Sequence, residues 1–449
     1  MKVILILLMF FSIPTFSFSK EILTEEKLRQ FLTEKNPNIY SILGKIYIYE
    51  GKLKFYEGEF DTKLKLTYEK KEYPISKATY YDFFIEQPFF QGFNVKFGYR
   101  KAKGTQEYNN IKTSKDGELL FGLEIPIINT LFQIDKRRMN LIKYENIYSA
   151  VNYEAQNKLR KFYFKLIKTY YKAIYYNKVL QIEKELLKKS QERISFVKKK
   201  VEEGLFPEIY MVEARQHVLS RRQKVLETQN KLYIYLNRLS LLLDIPLKKL
   251  LRDYKLPDDI DIPKFNLEVE KLIKLAESNR PDIKELTYQL KVISTKEKYY
   301  KLYNYPNINI NLYATKDFKY DYGYKFSVSS DFYLLRKKFI GKMVELSKSK
   351  VLIRKKINLK LKKIKTELLN LTNTLSVLEK NIRNAKQELK LSIQLEKAEE
   401  LKFKLGRSDL FYLNKREMYS LKTKKKLIKY KLKYILTSKK ILITAGLLK

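Results

Sequence analysis

The sequence predicts an α+β chain in which one unit, β-strands leading into a very long antiparallel helical hairpin, occurs twice. Three observations predict it. Apolar residues recur at seven-residue intervals over tens of residues, the pattern of helices that pack as a coiled coil. Short stretches alternate apolar and polar residues, the period of strands with one buried face. The chain also matches itself under a fixed shift.

A shift of 202 lays VEEGLFPEIYMV, from Val201, on FKLGRSDLFYLN, from Phe403, so Gly204 meets Gly406, Pro207 meets Asp409 and Tyr210 meets Tyr412. Upstream, Leu159, Leu166, Ala173, Leu180, Leu187, Ile194 and Val201 fall on Leu361, Leu368, Leu375, Ile382, Leu389, Glu396 and Phe403. Only Glu396 breaks the apolar row. A second shift, of 244, lays NPNIYSIL at Asn36 on RPDIKELT at Arg280, and KLKLTY at Lys63 on NININL at Asn307. The shifts differ by 42, so the first copy carries that many extra residues between about 70 and 130. The expected organisation is a leader over 1–19, a first repeat over 20–249 and a second over 250–449.

Strands are expected over about 59–127 and 306–333. In the second repeat Ile308, Ile310 and Leu312 face one way and Asn307, Asn309 and Asn311 the other; Phe326, Val328 and Phe332 continue the pattern beyond YDYGY. In the first, Phe93, Val95, Phe97 and Tyr99 alternate with Asn94, Lys96 and Gly98. The extra segment contains YYDFFIEQPFFQGFNVKFGYRKAKG, which fits an added strand pair or a long outer loop, and KGTQEYNNIKTSKDG reads as a polar, turn-rich loop.

The helices are expected over about 135–203 and 337–405, returning over 207–249 and 409–446. At 1.5 Å per residue the outgoing rods run roughly 100 Å, too long for a compact domain. Gly204 and Gly406 are the hairpin tips, since glycine supplies the left-handed conformation that ends a helix. Pro207 suits the first turn of the next helix, and Ser408 or Asp409 can cap its counterpart.

Composition narrows the function. MKVILILLMFFSIPTFSFSK has the basic start, short apolar run and small residues of a secretory leader cut after about Ser19. No later segment reaches the roughly 20 apolar residues of a membrane helix. The absence of cysteine excludes disulfides and thiolate metal sites. The single histidine, His217, is expected at an exposed polar position and argues against zinc or histidine chemistry. The net charge of +42 is spread along every helix rather than gathered in a patch, which argues against nucleic acid. No phosphate loop, catalytic carboxylate pair or triad is present, so no enzyme, cofactor or metal is expected. Export, strands with one apolar face and no membrane helix together point to a transmembrane β-barrel. One chain offers about four to six strands, fewer than the smallest usual barrels, so it must share a barrel with copies of itself. A soluble β-sandwich would leave the long rods unexplained.

AESNRPDI, the strand pairs, the tip GLFPEIYMVEA, the LLLDIP ending and the duplication resemble the TolC family of outer-membrane efflux proteins. The likeness spans the mature chain. It implies a homotrimer with a 12-stranded barrel in outer-membrane lipid. A periplasmic helical tunnel follows, with an equatorial region near 250–280 and the C-terminal end. It also implies a passive exit duct for efflux or type I secretion, joined to an inner-membrane transporter by a periplasmic adaptor docking at the tips. The matching tip residues are Gly204 and Leu205, with Gly406 and Arg407; Glu203 and Arg407 depart from the family's Val-Gly-Leu. Tyr210, Glu213, Asp409, Tyr412 and Lys415 are tunnel-mouth candidates. The family's two mouth aspartates, six and nine residues past the second glycine, are replaced by Tyr412 and Lys415, so a neutral or basic mouth is expected. An exported coiled-coil stalk or adhesin without a channel is the alternative. A pump adaptor is disfavoured by the duplication.

Overall fold

The structure, a computed structural model, describes residues 20–447 apart from 75, 105–113, 264, 266 and 267. The expected leader and most of the polar loop KGTQEYNNIKTSKDG lie outside the described residues. In chain order the elements are β1 (Glu21–Ile22), α1 (Glu25–Gln30), α2 (Pro37–Glu57), β2 (Lys63–Tyr73), β3 (Ser76–Pro88), β4 (Asn94–Gly104), β5 (Glu118–Pro126) and α3 (Ile127–Leu131). There follow α4 (Lys136–Glu202), α5 (Ile209–Leu243), α6 (Leu247–Asp253), β6 (Tyr254–Lys255), α7 (Val269–Asn279) and α8 (Pro281–Lys301). The chain closes with β7 (Asn307–Asp317), β8 (Asp321–Asp331), α9 (Lys337–Lys404) and α10 (Leu410–Thr444). Two single-turn 3-10 helices, Gly58–Phe60 and Leu302–Asn304, precede β2 and β7. Two units emerge, one holding the chain up to Tyr40, Lys161–Leu267 and Leu369–Ile443, the other Ser41–Arg160, Glu268–Leu368 and the C-terminal end.

The first unit is helical. The seven-residue rows bury Leu166, Ala173 and Leu180 of α4, and Leu375, Ile382 and Phe403 of α9. Glu396, which interrupts the row, turns its carboxylate to Lys189 at 3.8 Å. Near its N-terminal end β1 pairs in parallel with β6. There Glu25 accepts hydrogen bonds from Tyr163 (3.0 Å), Tyr171 (3.1 Å) and Lys439 (2.7 Å), while the buried Tyr170 hydroxyl donates to the Leu23 carbonyl. The α5 helix stops at Leu243, short of the 249 expected for the rod. Asp244 takes a left-handed φ of +57°, the Ile245 amide closes back on the Ser240 carbonyl, and Pro246 cannot continue the helix. Just before α2, the Asn36 side-chain amide donates to the Leu242 carbonyl at the end of α5 (3.0 Å).

The second unit contains a six-stranded antiparallel sheet in the order β2-β3-β4-β5-β7-β8. Directly paired residues share a face, and the register therefore sorts the whole sheet. Leu64, Leu66 and Tyr68 lie opposite Ile85, Phe83 and Tyr81; Phe83 and Ile85 lie opposite Tyr99 and Phe97; Phe97 lies opposite Phe121; Leu123 lies opposite Leu312; and Leu312 lies opposite Phe326. That face is apolar across all six strands. The other carries Lys65, Asp82, Arg100, Glu118, Glu124, Asn311 and Ser327.

Burial runs opposite to a water-soluble sheet. In β3 the apolar-face Tyr81, Phe83 and Ile85 are exposed, whereas Asp82, Phe84 and Glu86 on the polar face are half-buried. Leu66 is 70% exposed and Tyr324 89%. Each uncovered side chain of this size forgoes about 1.5–3 kcal/mol of burial. The polar face is cross-linked instead. Arg100 grips Asp82 through two bonds (2.7 and 3.2 Å), Tyr313 donates to Glu124 (2.9 Å), and Lys96 pairs with Glu124.

The 42 extra residues of the first half contain β3 and β4, a strand pair rather than an outer loop. The chain thus supplies six strands to this sheet, two more than the four per chain of the 12-stranded trimer implied by resemblance, and the inserted pair is the difference. Arg138, at the start of α4 and 1% exposed, anchors the β3–β4 turn. It donates to the carbonyls of Gln91 (3.2 Å) and Asn129 (2.6 Å) and pairs with Asp135 (3.2 Å). Gly92 sits there at φ +104°, and a Cβ on it would lie 2.5 Å from the guanidinium.

At the other end of this unit Arg280 donates to the Thr444 carbonyl at the end of α10 (2.8 Å) and forms a two-bond pair with Asp282 (3.0 and 2.7 Å). Asp282 is 3% exposed and is also approached by Lys360 at 3.1 Å. Its own burial raises its pKa, but Arg280 and Lys360 override this and hold it down at about 2. Gly446, at φ +77°, closes the C-terminal turn against Asn279 and Arg280.

Candidate functional site: the hairpin tips

Both tips lie in the first unit and share one backbone device. At the first, the Gly204 amide bonds the Val201 carbonyl (2.9 Å) and the Leu205 amide bonds that of Lys200 (2.9 Å). At the second, Gly406 bonds Phe403 (3.1 Å) and Arg407 bonds Lys402 (2.9 Å). This nested pair of bonds satisfies the last carbonyls of a helix and requires a left-handed residue between them. Gly204 and Gly406 supply it at φ +71° and +69°, with open space where a Cβ would stand. Their role is therefore conformational and not steric.

The tips are joined by a small aromatic core. Val197, Ala214, Phe403, Leu410 and Leu413 are buried together. Phe206, two residues past Gly204, packs on Phe403 with centroids 5.5 Å apart and on Tyr210 at 5.4 Å. The Tyr210 hydroxyl donates to Asp409 Oδ1 at 2.6 Å, linking α5 to the loop before α10. That bond, with Asp409's charge, pushes the Tyr210 pKa up to about 12, so the phenol keeps its proton in neutral solution.

The Asp409 carboxylate accepts from Tyr210, and the Ser408 hydroxyl donates to Glu399 (2.5 Å). One expectation is corrected. His217 is half-buried rather than exposed: its Nε2 accepts from Arg221 (3.2 Å). Burial, and then the Arg221 charge, depress its pKa to about 4.

The structure brings Tyr210 and Asp409 together. Leu205, Gly406, Arg407, Tyr412 and Lys415 stay exposed, and Glu213 is half-buried. Glu203 pairs with Lys200 at 2.7 Å, and this lowers its pKa. Sequence reasoning missed Arg193, Asn414 and Glu417. Arg193 on α4 binds Asn414 (3.0 Å) and the buried Glu417 of α10 (3.1 Å). No local signal marks one arginine among 92 basic residues. A row at seven-residue spacing on α5, namely Val212, Leu219, Leu226 and Tyr233, is exposed throughout.

No family model matches the sequence, and the comparison with curated proteins gives no match. Solved structures do resemble the fold. The outer membrane protein VceC of Vibrio cholerae is similar with a TM-score of 0.70 over 94% of this chain and 96% of that one, at 11% identity. The CmeC outer membrane channel of Campylobacter jejuni gives 0.64 over 96% and 90%, at 12% identity. The open-state MtrE outer membrane channel of Neisseria gonorrhoeae gives 0.63 over 94% and 89%, at 14% identity. The chain has a TolC-like outer-membrane channel fold, mostly helical with an antiparallel sheet.

Proposed function

We propose that this chain is one protomer of an outer-membrane channel-tunnel. It would serve as a passive exit duct for efflux or type I secretion, fed by an inner-membrane transporter through a periplasmic adaptor. One observation carries the proposal: a six-stranded sheet with a continuous apolar face that is more exposed than its polar face. Lipid is the solvent that makes this arrangement favourable, and in lipid a sheet must close to satisfy its edges. The exposed row on α5 supports assembly with further copies, since a heptad seam stabilises only when another helix covers it. The fold likeness to outer-membrane channels supports the same role. The two hairpins, with equal turns at positions 202 apart, fit a duplicated unit whose tips, Gly204–Leu205 and Gly406–Arg407, offer the adaptor its docking surface.

Purified full-length protein added to a planar bilayer should insert and give discrete conductance steps. A soluble monomer without conductance would favour the exported coiled-coil stalk instead. In this assembly Lys415, exposed on α10 and repeated by symmetry, makes the mouth basic. Reversal potentials in a salt gradient should then show anion preference, and Lys415→Glu should move them towards cations.

A further inference from the structure

The inserted hairpin, β3 with β4, is what separates this sheet from a simpler four-stranded one. Three features make it wall rather than ornament. Its strands of 13 and 11 residues reach the roughly 9–11 residues a tilted strand needs to cross a bilayer. Its apolar residues Phe83, Ile85 and Phe97 fall on the same face as Leu66, Phe121 and Leu312 of the flanking strands. Its turn is fastened from within by the buried Arg138, a fixed point that a free loop lacks.

The sheet ends on two long open edges. β2 and β8 each have 11 residues, and most of their described side chains are exposed. Edges of this length invite pairing. Six strands are an even number, so β2 of one copy meets β8 of the next antiparallel, as at every other junction in the sheet. Any register moved in steps of two keeps Leu64, Leu66 and Tyr68 on the face of Phe326 and Val328. One charge pair agrees as well: Lys63 at the start of β2 comes to the end where β8 finishes in Asp331.

We propose that three copies close edge to edge into a barrel of eighteen strands, the inserted hairpin giving each copy two additional lipid-facing staves. The partner on each edge is a second copy of this chain, and the inference rests on the membrane-channel function proposed above. Strands about 4.8 Å apart and tilted by about 40° make a ring of eighteen about 36 Å across, against about 24 Å for twelve. A barrel of that size encloses an aqueous passage, with the ion-paired face of Asp82, Arg100, Glu118 and Glu124 lining it. The exit would then be wider than that of a twelve-stranded duct.

The chain has no cysteine, so single-cysteine probes are clean. An environment-sensitive fluorophore would be placed on full-length protein in lipid vesicles at Phe83→Cys, Phe97→Cys, Lys96→Cys and, as the wall reference, Phe121→Cys. Quenching by spin-labelled lipid at positions 83 and 97 equal to that at 121, with iodide alone quenching 96, is the expected result. Lipid quenching at 121 but not at 83 or 97 leaves the channel intact and overturns the eighteen-strand wall. Lipid quenching nowhere defeats the membrane function itself and this inference with it. The paired variant Leu66→Cys with Val328→Cys should oxidise to a ladder that ends at three chains. A ladder ending at two gives a twelve-stranded ring and refutes the proposal.

Discussion

The two helical hairpins end on the same kind of bond, made from different chemistry. In the first, Asn36 donates to the Leu242 carbonyl and accepts from the Asn38 amide (2.9 Å). In the second, Arg280 donates to the Thr444 carbonyl and pairs with Asp282. Positions 36 and 38 correspond to 280 and 282 under the shift of 244, and 242 corresponds to 444 under the shift of 202. What is common is a backbone demand: the carbonyls at the end of a helix must find donors. A neutral amide pair meets it in one place and a buried ion pair in the other. The ion pair makes the stronger bonds but exposes the fold to the cost of leaving one charge alone.

The largest expected effect breaks that ion pair. Arg280→Ala leaves the buried Asp282 to Lys360 and Arg160, and should cost about 3–5 kcal/mol in urea unfolding followed by circular dichroism. Asn36→Ala should cost only about 1–2 kcal/mol. Converting the second site to the first, with Arg280→Asn and Asp282→Asn together, should recover most of the loss. Because the folded pKa of Asp282 lies below its ordinary value, its contribution is present above about pH 4 and fades as pH falls towards 2. The double variant should not show that fading; equal acid sensitivity would mean the pair is not its source.

Next in size is His217, whose counterpart under the shift of 202 is the exposed Tyr419. The folded pKa, about 4, lies below the ordinary 6.5 of histidine, so the unfolded chain binds the proton more readily. Stability is therefore full above pH 6.5 and declines as pH falls towards 4, by an amount on the order of 2 kcal/mol. His217→Gln should flatten this part of the profile, and Tyr419→Gln should leave it unchanged.

The tips should respond alike. Gly204→Ala and Gly406→Ala each force a Cβ into the left-handed region, at about 1–2 kcal/mol each. Unequal losses would show that the two turns differ in more than sequence. The smallest effect is at the helix ends, where Asp244 occupies the left-handed position that Gly446 fills in the second hairpin. Asp244→Gly should raise the urea midpoint by the equivalent of a few tenths to about 1 kcal/mol.

Much of this architecture is visible in the sequence because its signals are long or rigid. The seven-residue rows place helices near 135–203 and 337–405, and α4 and α9 span Lys136–Glu202 and Lys337–Lys404. The tip glycines are legible because no other residue adopts their φ at so little cost. The inserted strands were ambiguous for a particular reason. In YYDFFIEQP the polar face also carries rings: Tyr80 bonds Glu69, and Phe84 lies over Gly98, where a Cβ would come within 2.3 Å of it. Aromatics on both parities erase the alternation that marks a strand. The end of α5 was overrun because Asp244 gives weaker notice of a stop than glycine would. At the tips, Tyr210 and Asp409 are 199 residues apart, and Arg193 and Glu417 are 224 apart. No period or motif links such pairs; the approach of α5 and α4 to α10 and the loop before it does.

The clasp at Arg138 has a consequence for how the sheet tolerates loss of its inserted strands. Excising β3 and β4 would remove the Gln91 carbonyl and the glycine turn that gives the guanidinium room, stranding part of a 1%-exposed cation. The strand pair and the buried cation at the start of α4 are thus tied together, so removing the pair would call for a matching change at residue 138.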